Sequence, residues 1–527
     1  MRNEKGQQEA STLSEEPRQP VEQKVTRGLV FNSLRAVLSA VFSLVYSVVA
    51  VRYLHIQNFG VIAFLDSIFS LLGNFFMPLT HQAQQRFIPE LLAEERVPQV
   101  RRLVSMGQRI NLFLAFAFAF PFLVFASPIA QALGNASWGL YIQLMALGMI
   151  ISAGLGIVKA ILNAFYDQKF ISLWESFFSF ASLALLIVFV AYLGWGVVGA
   201  ILVGLVTYGA SWALYLYRIN SRYVQNVRGE RKPIGKTLEV RIRNYVVPNA
   251  AISLLSSFTS IYGGVFFLGI LANTASVAYF DIPNTFVQRA FNQVNLVIGA
   301  LGLVSLVEVN VRDPAKLQGA VRQFTKFVSI YALPVMAGGI VLASPIMTVL
   351  YGSQALPAVV PFQILLVAGC ITTILQFSGT ILFVFEKAYR AFLWNVVNAG
   401  ILIGLSVLLI PMIGVMGAVV ATFVSSVVTV AIFTYDASVR LRVGNFLPLG
   451  ALLRMASAAF LMSIMIFGMG FVYPVVGGVS LAVTMVVGIV VFLFGVRYLR
   501  VFNDTDRRLV QSSSIPMKGL LIRLFWR

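Results

Sequence analysis

Fourteen apolar stretches constrain this chain more than any other feature, because each is long enough to cross about 30 Å of hydrocarbon with roughly 20 residues. They lie near 29–51, 61–80, 107–127, 139–163, 171–193 and 196–217, then near 246–271, 276–305, 324–343, 358–385, 390–411 and 413–435. A last pair follows near 448–471 and 474–498. Of the 527 residues, 58% are hydrophobic and only 11% charged, too few charges to cover a water-soluble protein of that length. The expected fold class is an all-α polytopic membrane protein with about 14 transmembrane helices.

A net charge of +19 raises nucleic acid as a partner, but the basic residues recur in short loops instead of clustering with aromatics on one face. Lys24 and Arg27, Arg86 to Arg109, the eight basic residues from Arg218 to Arg243, Arg312 to Lys326, Arg440 and Arg442, and the stretch from Arg497 onward fall in alternate connections. The connections between them, such as LGNASWG (133–139) and YPVVGG (473–478), are almost uncharged, with Arg52 the exception. The positive-inside rule makes the basic side cytoplasmic and places both termini there, in the inner (plasma) membrane. Residues 1–23 carry five Glu and no apolar h-region, so they read as a disordered tail and not a cleaved signal.

Several chemistries are excluded. Cys370, the single cysteine, lies in an apolar run and reads as packing, which removes disulfide frameworks and cysteine metal sites. His55 and His81 have no second ligand at i+3 or i+4, so no metal or other cofactor is expected. GERKPIGKT (229–237) resembles a phosphate loop but has five residues between its glycines where the cradle needs four.

An internal repeat organises the spans. ASPIAQALG (126–134) recurs as ASPIMTVLYG (343–352), AFLD (63–66) as AYFD (278–281), and GVVGAILV (196–203) as GVMGAVVA (414–421), at offsets of 217, 215 and 218 residues. Two six-helix lobes related by a pseudo-twofold axis along the membrane normal follow, at 28–220 and 245–437. A basic cytoplasmic linker (221–244) joins them, two additional helices occupy 438–500, and tails lie at 1–27 and 501–527.

The first two spans of each lobe carry polar stripes. In span eight, Asp281, Asn284, Thr285, Gln288, Asn292 and Asn295 fall on one helical face, with Arg289 beside it. Span two repeats the pattern with Asp66, Ser70, Asn74, His81 and Gln84, span one with Asn32, Arg35, Ser39, Ser43 and Tyr46, and span seven with Asn249, Ser253, Ser256 and Ser260. Amides and hydroxyls of this kind also bridge packed membrane helices. Four stripes that include Arg35, Asp281 and Arg289 read better as the wall of a hydrated cavity, because charge at mid-bilayer costs about 2.5–3.5 kcal/mol. Arg52, Asp66 and Asp281 near the uncharged end form a candidate gate or ion-coupling group, with Arg52 pairing one or both acids when that end is closed.

YLHIQNFGVIAFLDSIFSLLGNFFMPLTHQAQQRFIPELLAEE (53–95), ASPIAQALG, AILNAFYDQKF (160–170) with its counterpart TILFVFEKAYR (380–390), and GWGVVGA (194–200) resemble the polysaccharide transporter branch of the multidrug/oligosaccharidyl-lipid/polysaccharide (MOP) exporter superfamily. That branch contains O-antigen flippases and, more distantly, lipid II flippases. The resemblance implies a non-enzymatic flippase carrying an undecaprenyl-pyrophosphate-linked oligosaccharide to the outer leaflet, beside polysaccharide polymerase or glycosyltransferase partners. Lipid II flippases have more arginine near the first two helices, whereas Arg35 and Arg52 alone stand there in this chain, which favours a general oligosaccharide carrier. Amides at Asn32, Asn74, Asn249, Asn284, Gln288 and Asn292 suit sugar hydroxyls, and Arg35 and Arg289 suit pyrophosphate. A cation-coupled drug exporter of the same superfamily is the alternative. A membrane glycosyltransferase or polymerase fits less well, since the loops on the uncharged side lack catalytic acids.

Overall fold

Long apolar segments with no water to satisfy their peptide groups can only close those bonds within themselves, so helices are the expected outcome. A computed structural model describes residues 21–502 apart from Ser260, Arg442 and Pro474, with side chains from Leu38 onward except at 261, 292–301, 304, 388 and 472. Most of both expected tails, and the side chains of Asn32, Arg35 and Asn292, lie outside the described residues. Every regular element among those described is helical. The first half contains α1 (Val21–Ala93), α2 (Val97–Val124), α3 (Ala126–Ala132), α4 (Gly139–Ala164), α5 (Gln168–Leu186), α6 (Gly196–Arg222) and the short α7 (Val224–Val227). The second contains α8 (Lys236–Thr259), α9 (Ile261–Leu271), α10 (Thr274–Arg312), α11 (Leu317–Val341), α12 (Ala343–Tyr351), α13 (Val359–Ile374), α14 (Gln376–Val384), α15 (Ala388–Ile413) and α16 (Val415–Tyr435). The pair α17 (Leu449–Val472) and α18 (Gly478–Tyr498) closes the series.

Eleven helical segments among the described residues are long and apolar enough to cross a membrane, twelve with α8 and α9 taken as one span bent by 55°. α1 is two spans, since His55 breaks it with φ 62° and ψ 160°. The 39-residue α10 runs through residues whose side chains are not described. The architecture is consistent with the fourteen crossings expected.

The repeat is written into the backbone. Gly134 and Gly352 have φ of 90° and 88°, Gly196 and Gly414 of 55° and 58°, and Tyr166 and Glu386 of 60° and 56°. Left-handed φ costs little for glycine and more for Tyr or Glu, so matching values at matching positions mark the same turns made twice.

Helix ends on the basic-loop side are clamped by an ion pair in each half, with the charges exchanged. In the first half Asp167, the residue before α5, meets Arg218 of α6 at 2.8 Å, and the Arg218 guanidinium lies 4.6 Å from the Phe170 ring centre. Tyr223 completes that clamp: burial, with Asp167 beside it, pushes its hydroxyl up to about 12, so it stays protonated and bonds Asp167. In the second half Arg390, in the first turn of α15, meets the fully buried Asp436 just past α16 at 3.2 Å, and Trp394 Nε1 donates to Asp436 Oδ2 at 3.0 Å. Arg440 approaches the same carboxylate at 3.9 Å. Large side chains such as Phe113, Phe116 and Phe120 on α2 and Phe460, Phe467 and Phe471 on α17 stay exposed, as surfaces that face lipid must.

Candidate functional site

The two halves meet tightly at the end with uncharged loops. Val51, Ile56 and Phe64 of α1 share one apolar core with Val265 and Leu268 of α9 and with Val277, Ala278 and Phe280 of α10. Backbone approach there is extreme: a Cβ on Gly60 would lie 1.8 Å from the carbonyl oxygen of Thr274. At the other end of the seam Arg241 of α8 pairs with Glu90 of α1 at 2.9 Å, and Gln82 Nε2 donates to Ser253 Oγ at 3.3 Å.

Between these ends lie two cavities walled mainly by the first half. The smaller, about 330 Å³, is lined by Asp66, Ser70 and Asn74 of α1, by Ser152 of α4 and Tyr208 of α6, and by Tyr262 of α9. The larger, about 650 Å³, takes Ser39, Ser43 and Tyr46 from the first span of α1 and has Arg289 as its contribution from α10. Asp66 and Tyr208 belong to both walls. The space can therefore offer a carboxylate, a guanidinium and many hydroxyls to a polar ligand held away from lipid.

The larger cavity also contains a charge pair that the stripe pattern does not include. Lys159 of α4 and Glu175 of α5 form an ion pair inside it, with side chains 37% and 23% exposed. Each is a lone charge in an apolar run, GIVKAIL and SLWESFF, and a lone intramembrane charge is itself a functional signal. Hydroxyls of Ser179, Ser182, Thr207 and Ser211 join the same wall from α5 and α6.

The expected site residues fall into distinct surroundings. Asn74, Asp66 and Arg289 line the cavities. Asp281 lies within electrostatic reach of both Asp66 and Arg289 and accepts from Thr285 Oγ1 at 3.4 Å, but it lies on neither wall. Asn284 is buried, at 4% exposure, and Gln288 is exposed; neither lines the two cavities. Asn249 turns its amide to the Tyr245 carbonyl of its own helix at 2.7 Å. The lower part of the span-two stripe is interhelical bonding: Gln84 Nε2 donates to the Leu103 carbonyl at 2.9 Å, and the His81 ring sits against Gly156, where a Cβ would come within 2.6 Å of Cε1. Gln84 also lines a separate pocket of about 230 Å³ against α2, apart from the two cavities above.

The structure gives Arg52 partners other than the acids expected for it. Its Nε donates to the Leu350 carbonyl at 2.8 Å and its Nη2 to that of Val349, both in the last turn of α12. Carbonyls at a helix C-terminus lack intrahelical partners and carry the negative end of the helix dipole, so they compete well for a guanidinium. Ser47 and Tyr351 bond at 3.1 Å alongside. Arg52 thus ties the halves at the uncharged end through backbone atoms. Removing it as Arg52→Ala is expected to weaken that end by about 1 kcal/mol, roughly a fivefold shift toward opening. The check is labelling of Asn74→Cys, in a Cys370→Ala background, by a membrane-impermeant thiol reagent; an unchanged rate would remove the tie.

Two halves with the same turns around a cavity are an architecture that solved structures share. The structure is similar to that of the lipid II flippase MurJ in an inward closed conformation, at 13% identity and TM-score 0.69, over 89% of this chain and 98% of that one. It is similar to the inward-facing conformation of a multidrug resistance MATE family transporter of the MOP superfamily, at 15% identity and TM-score 0.66, over 77% and 94%. The outward-facing conformation of a transporter described in the same words matches at 14% identity and TM-score 0.53, over 79% and 95%. The fold is shared with these proteins. The chain belongs to the polysaccharide biosynthesis protein family, whose model matches residues 48–360, more than half of its length. No curated protein matches it in sequence.

Proposed function

We propose that this protein flips a polyprenyl-pyrophosphate-linked oligosaccharide, a precursor of cell-surface polysaccharide, from the inner to the outer leaflet by alternating access. The observation that carries the reading is the pair of connected polar walls, with Asp66 and Arg289, enclosed within a MOP fold in a polysaccharide biosynthesis family member. Lobes at 28–220 and 245–437, rocking about the linker at 221–244, supply the motion. Positive-inside charge places the basic loops and both termini in the cytoplasm of a plasma (inner) membrane protein. The contacts at the uncharged end then close the outer side, which agrees with the better match to inward-facing relatives. Fold relatives that are transporters support a non-catalytic role, with polymerases or glycosyltransferases acting beside it.

Arg289 Nη1 is buried without a hydrogen-bond partner, although the carboxylate of Asp281 is near enough to act on the guanidinium. A phosphate oxygen supplies that missing acceptor. Arg289→Ala is expected to slow flipping of lipid-linked glycan in reconstituted vesicles about tenfold, the worth of one charge-assisted hydrogen bond, with Lys restoring part of it. Full activity in the Arg35→Ala, Arg289→Ala double variant would refute the head-group role. The MATE likeness keeps a second reading in view, a cation-coupled drug exporter with Asp66 and Asp281 as coupling sites. Efflux of a cationic dye without flipping of lipid-linked sugar would establish it instead.

A further inference from the structure

We infer that the larger cavity is a glycan-reading compartment for uncharged sugars, in which the Lys159–Glu175 pair and a wall of hydroxyl oxygens hold the sugars next to the pyrophosphate. This rests on the flippase reading and adds to it binding groups from the fourth, fifth and sixth spans, which face the polar stripes of spans one, two and eight across the cavity.

Three observations carry it. The hydroxyl hydrogens of the wall that α5 and α6 present are committed to backbone carbonyls at three serines: Ser179 donates to that of Glu175 at 2.8 Å, Ser182 to that of Phe178 at 2.8 Å and Ser211 to that of Thr207 at 2.7 Å. What they present to the cavity is oxygen lone pairs, and a wall of acceptors is satisfied by a ligand rich in O–H donors. Sugars have that chemistry.

The formal charges on the wall also cancel, Lys159 and Arg289 against Asp66 and Glu175. Neither a cationic drug nor a polyanionic glycan would be held by net charge there. A Lys–Glu pair can still donate to one hydroxyl and accept from the next, which suits a neutral ring bearing adjacent hydroxyls. A volume of about 650 Å³ lies within the range of about 300–1,000 Å³ usual for small-ligand sites.

The second half provides an internal control. Trp174 and Trp394 occupy equivalent places at an offset of 220 residues, the offset that also relates the left-handed Tyr166 and Glu386. At that offset Lys159 corresponds to Gly379 and Glu175 to Asn395. The equivalent region of the second half has a cavity of only about 210 Å³, lined by Gly379, Thr372, Ser378 and Asn398 among others and by no charged residue among those described. The same helices pack in the same turns without the pair, so the fold does not require it. An intramembrane ion pair is costly to keep, and its presence in the half with the large cavity points to a ligand.

The test uses purified full-length protein in vesicles with the host cell's own polyprenyl-pyrophosphate glycans, either intact or trimmed by exoglycosidases to the first sugar. The quantity read is the ratio of flipping rates, intact over trimmed. Glu175→Gln and Lys159→Met are each expected to lower that ratio about tenfold. Ser179→Ala with Ser211→Ala removes acceptors without touching the ion pair and is expected to lower it in the same direction, which covers the case of a charge variant that fails to fold. An unchanged ratio in the serine variant, whether both rates fall together or neither falls, overturns the compartment and leaves the flippase intact. If the unaltered protein flips neither lipid, the flippase reading itself fails.

Discussion

Asp436→Ala is expected to cost the protein about 3–5 kcal/mol, because it leaves Arg390 facing a helix end with no carboxylate and takes the partner from Trp394 Nε1. Oδ1 of Asp436 makes its 3.2 Å ion pair without hydrogen-bond alignment, so Oδ2 holds the directional bond and the charge holds the rest. The clamp of the first half places an acid before α5 and a base near the end of α6, in accord with the helix dipoles. The clamp of the second half is reversed and works against them. Exchanging the two residues, Arg390→Asp with Asp436→Arg, is therefore expected to recover at least half of what Asp436→Ala loses. Thermal unfolding in detergent followed by tryptophan fluorescence gives both numbers; a double variant no more stable than the single one would show that the dipole argument fails.

Gly60→Ala is expected to open the uncharged end. The added methyl meets the Thr274 carbonyl at 1.8 Å, backbone against backbone, with no flexible side chain to yield. Overpacking of this kind costs about 3 kcal/mol or more, enough to shift a two-state equilibrium by roughly a hundredfold. Spin labels at Tyr53→Cys and Ala272→Cys should report a longer distance in this variant, and Gly468→Ala, with nothing within 4 Å of the new methyl, should not change it. Identical distances in both would mean that local backbone movement absorbs the clash.

Much of the fold was legible because hydrophobic length and loop charge act on whole segments. The repeat was legible too, since ASPIAQALG and its copy end in the glycines that make the left-handed turns. The break at His55 falls in the connection left between the spans at 29–51 and 61–80, although YLHIQNFG carries no proline to mark the residue itself. The candidate site was legible only in part. Helical periodicity identifies a polar face but not what lies opposite it, so Gln84, bonded to a carbonyl on α2, looked the same as Asn74 at a cavity wall. Arg52 escaped for a related reason, as its partners at Val349 and Leu350 are backbone oxygens that leave no mark in residue type. Lys159 and Glu175 did leave one. They lie outside the first pair of spans in each half, where the stripes drew the eye, and only packing shows that α4 and α5 bring them together.

The paired left-handed turns at Gly134 and Gly352, Gly196 and Gly414, and Tyr166 and Glu386 separate machinery from cargo. These three bends recur in the two halves, while the described side chains facing the interior have diverged into a roomy charged chamber on one side and a small uncharged one on the other. On the flippase reading, a chain arranged this way can be retargeted by grafting interior side chains of α4, α5 and α6 from a relative with different cargo, leaving these bends untouched. A change of ligand then needs no new hinges, only a repainted room.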